Sequence, residues 1–378
     1  MVRYLALAMV GSLLILAQPR PALADRPIIV GNGTAASCTE TALKSALFIA
    51  ETIGGATIRF KCGPAPVTIA LSQVVEVVPG RLVLLVIPDN TTIDGGGLVT
   101  LDGTDTATVV FVDRGTTATL RRRAIVNGRD PFFEPGGIDN FGTLTLKMST
   151  VSANVSGFLA GGISNEGTLT IHDSTISSNA GGQWGGVINR NGGTLIIRNT
   201  MFAENISVFD GGGIGNFFGT IKINNSTFLR NQAPDGFGGA IENFGTLIVK
   251  DSLFAENFAF RGGGGIANFR GTAKVSHSTF SQNAAILIRG GGGIFNDSEG
   301  ALTVDDSTFS GNTADRGGAI STSGTLAIKD SIITHNAAFS AGGGIYVCVD
   351  VPPCSGTQGT VSLKNTIVTE NTPDDIFP

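Results

Sequence analysis

A motif recurs with a nearly constant period from Gly136 to the end of the chain. Each copy reads Gly-Gly-Ile-x-Asn, then Gly-Thr-Leu-x-Ile, then Asp/Asn-Ser-Thr-Phe-x-x-Asn. The closing residues of the nine copies are Asn154, Asn179, Asn205, Asn231, Asn257, Asn283, Asn312, Asn336 and Asn371. The gaps between them are 25, 26, 26, 26, 26, 29, 24 and 35 residues. A period of this length is typical of a solenoid, in which each unit packs only on its neighbours.

The pattern inside each copy indicates which kind of solenoid forms. Residues 168–171, Thr-Leu-Thr-Ile, alternate polar and apolar side chains, and 246–249 and 325–328 repeat this strand pattern. Each of these runs is four residues long and lies between a glycine and an aspartate. A copy therefore predicts about three short strands. The sequence predicts an all-β fold, a single-stranded right-handed parallel β-helix, with coils ~4.8 Å apart.

Two apolar columns are expected to point inward and stack from coil to coil. The first is Val151, Ile176, Phe202, Phe228, Phe254, Phe280, Phe309, Ile333 and Val368. The second is Ile138, Ile163, Val187, Ile214, Ile241, Ile266, Ile294, Ile320 and Ile345. A ladder of corner asparagines, interpreted as structural, follows the second column: Asn140, Asn165, Asn189, Asn216, Asn243, Asn268 and Asn296. Thr322 and Val347 replace the asparagine in the last copies, so the corner is expected to change shape there.

The region before the repeats is predicted to contain a signal peptide followed by a cap. Residues 1–24 have a basic residue, an apolar run and a small-x-small cleavage site, which predicts a signal peptide. Residues 25–135 are predicted to hold the cap and early coils, and 136–378 the repeat coils. Residues 39–52 predict a short capping helix with Leu43, Leu47 and Ala50 inward and Glu40 outward.

Composition and charge exclude several classes. With 42% hydrophobic and 15% charged residues, the chain is not a disordered charged protein. Its net charge is −5 and its longest basic run is three arginines, so nucleic-acid binding is not expected. No later apolar run approaches a transmembrane length, which predicts no membrane span in the mature chain. We expect a secreted or cell-surface protein that is a monomer.

The four cysteines fit an exported chain. Cys38 lies at the cap and Cys62 follows the first predicted coil strand, so a disulfide between them would pin the cap to the coil. Cys348 and Cys354 bracket a Pro-Pro loop inserted in the last copy and are predicted to form a second disulfide.

Arg121, Arg122 and Arg123 are the unusual feature of the early coils. If Leu120 and Ile125 point inward, strand alternation between them must break, because Arg123 would otherwise lie in the core. A local bulge explains this pattern. Contact with an acidic sugar or a sulfate is the alternative, and the sequence leaves both open.

The repeats resemble a known family. Gly238-Gly239-Ala240-Ile241 with Phe254-x-x-Asn257, and Gly317-Gly318-Ala319-Ile320, resemble the repeats of chlamydial polymorphic outer membrane proteins and related bacterial surface β-helix proteins. Thr92-Ile93-Asp94-Gly95 and the coil after it are similar to the wider pectate-lyase-like superfamily. The likeness covers about 136–371 and, more weakly, 37–135. It implies a surface β-helix linked to adhesion.

Few residues point to catalysis. A pectate-type lyase needs clustered carboxylates for calcium and a basic residue facing the groove. Asp305-Asp306 is the only paired-aspartate step between Gly136 and Asn371, and Asp306 occupies a corner column of Asp and Asn typical of turns. His172, His277 and His335 fall in separate contexts. The sequence therefore names no catalytic residue, no metal site and no cofactor.

Loops of variable length between the closing asparagine and the next glycines carry large side chains. We expect them to form an apolar ridge with polar neighbours, and the predicted ligand-binding residues are Phe158, Trp184, Phe209, Phe237, Phe260, Arg261, Arg289 and Phe339. Leu287 takes the aromatic's place in the longest regular row, and Asp210, Asp235 and Arg316 lie beside the ridge. The alternative is that these loops fold back and bury their rings against a sheet.

Two functions remain after these observations. The first is adhesion or binding of an extracellular polysaccharide or surface protein, without catalysis. The alternative is a polysaccharide lyase or hydrolase acting on an acidic glycan, which rests on fold-level analogy. A structural component of the cell envelope is a third reading. The regular rows and the absence of a convergent polar site favour the first.

Overall fold

The computed structural model describes residues 26–287, 290–348 and 359–377, and the predicted signal peptide lies outside them. The chain winds as a parallel β-solenoid of about 12 turns around one continuous apolar core. All strand pairs are parallel except one antiparallel hairpin, Val75–Val78 with Arg81–Val86. The predicted all-β parallel β-helix is confirmed. Its three sheets are named A, B and C below.

Sheet A has 23 strands and forms two sides of each coil. Its early strands are Ile28–Val30, Thr57–Phe60, Val67–Ala70, Thr91–Asp102 and Thr117–Val126. Its repeat strands are Thr143–Lys147, Thr150–Ser152, Thr168–His172, Thr175–Ser177, Thr194–Arg198, Met201–Ala203, Thr220–Asn224, Thr227–Leu229, Thr246–Lys250, Leu253–Ala255, Thr272–Ser276, Thr279–Ser281, Ala301–Asp305, Thr308–Ser310, Thr325–Lys329, Ile332–Thr334, Thr360–Lys364 and Ile367–Thr369.

Sheets B and C close the coil. Sheet B has 13 strands: Val75–Val78, Arg81–Val86, Thr108–Val112, Ile138–Asn140, Ile163–Asn165, Val187–Arg190, Ile214–Phe217, Ile241–Asn243, Ile266–Asn268, Ile294–Asn296, Ile320–Thr322, Ile345–Val347 and Ile376–Phe377. Sheet C has nine: Arg129–Asp130, Val155–Ser156, Ala180–Gly181, Ile206–Ser207, Gln232–Ala233, Phe258–Ala259, Ala284–Ala285, Thr313–Arg316 and Ala337–Ala341.

Each regular repeat coil therefore holds four short strands, whereas the sequence predicted about three. The two sheet-A strands of a coil are separated by a left-handed residue, such as Asp251 with φ of 51°. Aspartate and asparagine tolerate this conformation better than most residues, which explains the Asp/Asn column.

Both predicted inward columns are confirmed. The five phenylalanines of the first column are fully buried and their rings stack with centroids 4.6 to 4.9 Å apart. All nine members of the second column are also fully buried. Each column contributes one side chain per repeat coil to the core, beside the inward residues of the longer sheet-A strands.

Two ladders of buried side-chain amides run along the stack. In the predicted corner ladder, Nδ2 of Asn140 donates to Oδ1 of Asn165 over 2.6 Å, and each later member repeats this bond. The ladder does not stop at Asn296, because its Nδ2 donates to the Thr322 hydroxyl over 3.1 Å. The closing asparagines of the repeats form the second ladder, which ends on the Asp375 carboxylate.

Glycine serves two separate needs where sheet C leads into sheet B. A Cβ on Gly162 would lie 2.3 Å from the Gly186 carbonyl oxygen, so this position requires close approach of two coils. Gly238 has φ of +67°, and a Cβ there would lie 2.4 Å from the Ile241 carbonyl oxygen. The glycine three residues before the isoleucine column is therefore required for its positive φ. The glycine directly before the isoleucine is required because two coils approach closely there.

A helix, Glu40–Ile53, caps the first coil, and a short 3₁₀ turn, Ala35–Ser37, precedes it. Leu43, Leu47 and Ala50 are buried as predicted. The prediction that Glu40 points outward is wrong: its carboxylate is buried and accepts hydrogen bonds from the Ser72 and Gln73 backbone amides, at 3.1 and 2.9 Å. These amides directly follow the strand Val67–Ala70 and Leu71, so the carboxylate ties the helix to that coil.

The Cys38–Cys62 disulfide joins the cap to the first coil. Cys348 is also disulfide-bonded, and its predicted partner Cys354 lies outside the described residues. Across the described ranges, no helix is both long enough and apolar enough to cross a bilayer.

The three arginines break strand alternation as the sequence requires. Arg122 has φ of 53°, and the pairing with the preceding coil skips from Asp94 to Val99. Arg121 and Arg122 both form ion pairs with Asp94, and Arg123 is buried. The local irregularity is confirmed, but Arg123 is buried in spite of it, and contact of these arginines with an acidic ligand stays a prediction.

Candidate ligand-binding groove

The outer face of sheet B forms a trough, called here the sheet-B groove. Since the isoleucines of these strands point inward, the next residue of each strand points outward and forms the floor. The floor residues are Phe111, Asp139, Ser164, Ile188, Gly215, Glu242, Ala267, Phe295, Ser321 and Tyr346, and all are buried. Outward residues of a solenoid are buried only if other parts of the chain cover them.

Two walls provide this cover. One wall consists of the residues that follow the corner asparagines: Phe141, Glu166, Arg190, Phe217, Phe244 and Phe269. The other consists of the loops between sheets C and B, which carry the aromatic residues predicted to bind ligand. The groove therefore has an aromatic wall on each side of a floor that contains two carboxyl groups.

Trp184 crosses the middle of the groove. A Cβ on Gly215 would lie 2.1 Å from its ring, so the glycine leaves room for the indole to lie on the floor. The indole Nε1 donates to Oε2 of Glu242 over 3.3 Å, and the ring lies 6.3 Å from Phe217 of the opposite wall. Trp184 is thus half-buried and links both walls to the floor.

Phe237 makes a similar crossing further along. Its ring packs edge-on against Phe269 at 4.8 Å and lies 6.0 Å from Phe295. The Arg261 guanidinium lies 6.0 Å from the Phe237 ring centroid. The loops at Trp184 and Phe237 therefore fold back onto the sheet, as the alternative interpretation of the sequence expected.

The remaining predicted ligand-binding residues divide by exposure. Phe158, Phe209 and Phe339 are 43%, 51% and 84% exposed. Phe260 is partly buried, and Arg289 lies outside the described residues. The predicted apolar ridge is therefore interrupted by the two crossings, and a ligand-binding role for these eight residues stays a prediction.

The carboxyl groups near Trp184 have raised pKa values. Burial and the nearby Asp210 charge raise the pKa of Glu242 well above its usual value, against the hydrogen bond from Trp184. Burial also raises the pKa of Asp210, whose Oδ1 accepts the Phe237 backbone amide at 2.9 Å. Two acids with raised pKa values in one groove are a feature seen at functional sites.

A second polar group, called here the Asp139 cluster, consists of Arg81, Glu134, Asp139, Ser164 and Arg190. Arg81 forms ion pairs with Glu134 at 2.9 Å and with Asp139 at 3.5 Å. Asp139 and Ser164 stand opposite each other on adjacent strands. Burial, opposed by Arg81 and assisted by Glu134, raises the pKa of Asp139 to about 8.

Sequence analysis missed the Asp139 cluster, Glu242 and the opposite wall. The sequence does contain a signal for these residues in the middle position of the Ile-x-Asn motif. This position is Asp139, Ile188 or Glu242 in different copies, while the residues on either side of it hardly change. A variable position in a regular coil is where a solenoid can specialise one face. Among the described residues, no three His, Cys, Asp or Glu side chains converge to hold a metal ion.

Comparison with known proteins supports the repeat architecture. The family model of the Chlamydia polymorphic membrane protein repeat matches residues 306–323. The chain is a parallel β-helix repeat protein. Among curated proteins, no sequence matches this β-helix protein.

Solved structures with a similar chain path are distant in sequence. PfbA, a surface adhesin of Streptococcus pneumoniae, has 9% identity and a TM-score of 0.39, covering 90% of this chain and 91% of its own. The A-module of the Azotobacter vinelandii mannuronan C-5 epimerase AlgE6 has 14% identity and a TM-score of 0.48, covering 92% and 100%. A GH87 α-1,3-glucanase from Streptomyces thermodiastaticus has 15% identity and a TM-score of 0.36. The match covers 92% of this chain and 69% of the glucanase chain. No residue-level correspondence follows from similarities this distant.

Proposed function

We propose that this β-helix protein is exported and binds an extracellular polysaccharide or a surface protein along the sheet-B groove, without catalysis. The observation that carries the proposal is the continuity of sheet B from Arg81–Val86 to Ile345–Val347, whose eleven successive parallel strands lie beneath the groove. At ~4.8 Å per strand this is about 50 Å, the length of an extended chain-like ligand rather than a small molecule.

The wall chemistry favours a glycan. Aromatic rings present apolar faces suited to sugar rings, while carboxyl and guanidinium groups bond sugar hydroxyls. Phe158, Phe209 and Phe217 remain 43%, 51% and 39% exposed along the walls. Exposed rings along the walls of a groove are typical of an interaction surface rather than of packing alone.

Export and a surface location are supported by three features. The first 24 residues have the pattern of a signal peptide. The Cys38–Cys62 disulfide favours an oxidising compartment. The matched repeat family is named for membrane proteins of Chlamydia.

The test is a glycan and matrix-protein array probed with the purified chain, followed by affinity measurements on the best ligand. We expect Phe158→Ala with Phe209→Ala to weaken binding by roughly tenfold or more, since hot-spot aromatics each contribute about 2 kcal/mol or more. Phe48→Ala is the control, because Phe48 is 69% exposed but lies on the capping helix. Unchanged binding by the folded double variant would contradict a groove site.

The second candidate, a polysaccharide hydrolase or lyase acting on an acidic glycan, is favoured by one observation. Asp139 is a buried carboxyl whose pKa is raised by burial, which is the direction of shift that a general acid requires. Uronic-acid polymers incubated with the protein would then yield new reducing ends or unsaturated sugar ends. Asp139→Asn is the control, because it removes the transferable proton while keeping the shape.

A further inference from the structure

Lysine is unevenly distributed over this molecule. Six of the eight lysines of the chain lie on one surface, the outer face of the longer sheet-A strands. They are Lys147, Lys222, Lys250, Lys274, Lys329 and Lys364. This surface, called here the lysine face, runs over ten stacked parallel strands from residues 117–121 to Thr360–Lys364.

The lysine face is strongly cationic. In each of its strands the second and fourth residues point into the core, so the first, third and fifth point outward. Arg121 and Arg198 occupy the fifth position in two of the strands, and Asp305 is the single acid at an outward position of these ten strands. Eight cations thus stand beside one carboxylate here, whereas the whole chain has a net charge of −5.

Acidic side chains nearby offset only part of this charge. Four aspartates line the corner beside the face: Asp173, Asp251, Asp306 and Asp330. Lys250 pairs with one of them at 3.6 Å, and Lys329 pairs with another at 2.9 Å. By contrast, Arg198, Lys222 and Lys274 form no ion pair with any residue that the structure describes. Even if these four aspartates and the acid on the face are all counted, three positive charges remain.

The cations without an ion pair are close neighbours. Lys222 and Lys274 are each in register with Ile248 of the strand between them, so their strands lie ~10 Å apart. Lys250 lies on that middle strand, and Arg198 lies on the strand before Lys222. All four cationic side chains are exposed. Like charges this close on neighbouring strands repel one another, and an anionic partner would turn that repulsion into attraction.

The lysine face is uncovered, unlike the sheet-B groove. None of its outward residues is buried, whereas all ten floor residues of the groove are. The first outward column of the face is threonine in nine of the ten strands, with Ala301 as the exception. At ~4.8 Å per strand and ~3.3 Å per residue, the face measures roughly 45 by 15 Å. It is an open cationic surface without walls.

We propose that the lysine face docks on the phosphate headgroups of an anionic lipid surface and so holds the exported protein there. This goes beyond the groove binding proposed above, because it assigns a partner to a different side of the coil. An open surface can rest on a lipid layer, whereas walls are needed to hold a single chain-like ligand. The threonine hydroxyls add hydrogen-bond donors for phosphate oxygens along the same face.

The type of cation also favours a lipid surface. Lysine is a point charge on a flexible stem, so its ammonium can follow headgroups that have no fixed positions, whereas arginine suits bidentate recognition of one phosphate. The acids elsewhere on the molecule oppose docking only weakly, because charges are screened over ~8 Å at physiological ionic strength. The lipid surface therefore responds to the face that it contacts rather than to the net charge of the chain.

The experiment is co-sedimentation of the purified protein with vesicles of phosphatidylglycerol and phosphatidylcholine, compared with vesicles of phosphatidylcholine alone. We expect the parent to bind only the anionic vesicles and to be released when salt rises from about 0.1 M to about 0.5 M. Lys222→Gln with Lys274→Gln should bind roughly tenfold or more weakly, since each lysine near an anionic surface contributes about fivefold in affinity. Lys222→Arg with Lys274→Arg should bind as the parent does.

The matched control is Arg129→Gln with Arg230→Gln, which removes the same net charge from two exposed residues outside the lysine face. It should bind the anionic vesicles within roughly twofold of the parent. Equal losses in the two glutamine variants would show that net charge governs binding and would overturn the proposal. Thermal melts confirm that each variant folds.

Two further outcomes would contradict lipid docking. One is failure of the parent to sediment with anionic vesicles at about 0.1 M salt. The other is binding of soluble polyphosphate without binding of vesicles, which would assign the face to a phosphate polymer. Glycan-array binding of the same variants separates this proposal from the groove, because loss of lysines on the face should leave it unchanged. Vesicle binding by a protein that binds no glycan and no matrix protein would contradict the groove alone.

Discussion

Single side chains in the core act through contact with identical neighbours. Phe254 lies between Phe228 and Phe280, with ring centroids 4.7 and 4.6 Å away. The three rings are stacked with their planes nearly parallel. Removing one ring leaves a cavity bordered by two others that the backbone holds one coil spacing away. The coil spacing cannot shrink to fill this gap, because the strand hydrogen bonds fix it.

We therefore predict that Phe254→Ala lowers the free energy of unfolding by ~3–5 kcal/mol. Glu256→Ala is the matched control in the same coil, because Glu256 is 46% exposed and its bond to Arg230 lies at the surface. Its effect should stay within ~1 kcal/mol. Urea unfolding followed by circular dichroism measures both, and equal losses would contradict the assigned inward column.

A second residue-scale prediction concerns pH. Asp139 has a folded pKa of about 8, far above the ~3.9 of an unfolded aspartate. The folded state thus holds its proton more tightly between these values, so the free energy of unfolding should fall as pH rises from about 4 to about 8. Asp139→Asn should flatten this slope, whereas Asp251→Asn at an exposed corner should keep it. Thermal melts across the range test this, and parallel curves for parent and Asp139→Asn would refute it.

Among the elements, the capping helix depends on a covalent connection. Cys38 and Cys62 are 24 residues apart and enclose the whole helix Glu40–Ile53. We predict that Cys38→Ser with Cys62→Ser destabilises the cap by ~3 kcal/mol, as the chain-entropy model gives for this loop length. Ser45→Ala, on the exposed side of the helix, should have little effect. Limited proteolysis across residues 26–70 reports the change, and a parent-like cleavage rate would contradict it.

At the element scale, the repeat made strands, core columns and the corner ladder predictable, because each feature recurs with the same spacing. The walls of the groove were not predictable in the same way. Trp184 and Glu242 are 58 residues apart, and their contact depends on where an irregular loop folds. Glu40 was misassigned for a related reason: its partners lie 32 and 33 residues away in a coil without a recognisable motif. A repeat period predicts only the contacts between the same position in successive coils.

At the scale of the whole molecule, the solenoid couples each coil mainly to its two neighbours. Asn231 illustrates this, because it accepts two bonds from Asn205 and donates two to Asn257. Loss of its side chain leaves the buried donors of one neighbouring coil without an acceptor.

We predict that Asn231→Ala increases amide hydrogen exchange in the coils of Asn205, Asn231 and Asn257 and leaves distant coils protected. The control is Asn225→Ala in the same coil, since Asn225 lies at an exposed corner and its side-chain amide donates to Asn199 at the surface. Its effect should be smaller. Exchange measured by mass spectrometry resolves individual coils, and uniform loss of protection along the chain would show that the molecule unfolds as one unit.

Both amide ladders point the same way, and this orientation has an evolutionary consequence. Every rung donates toward the C-terminal end, where a hydroxyl at Thr322 and a carboxylate at Asp375 accept the last bonds. If one repeat copy before Thr322 is duplicated or deleted, the asparagine side chains on either side of the change still meet as donor and acceptor. Neither ladder is interrupted. Lineages carrying this protein can therefore change its copy number, and with it the reach of the molecule, by unequal recombination without altering either end.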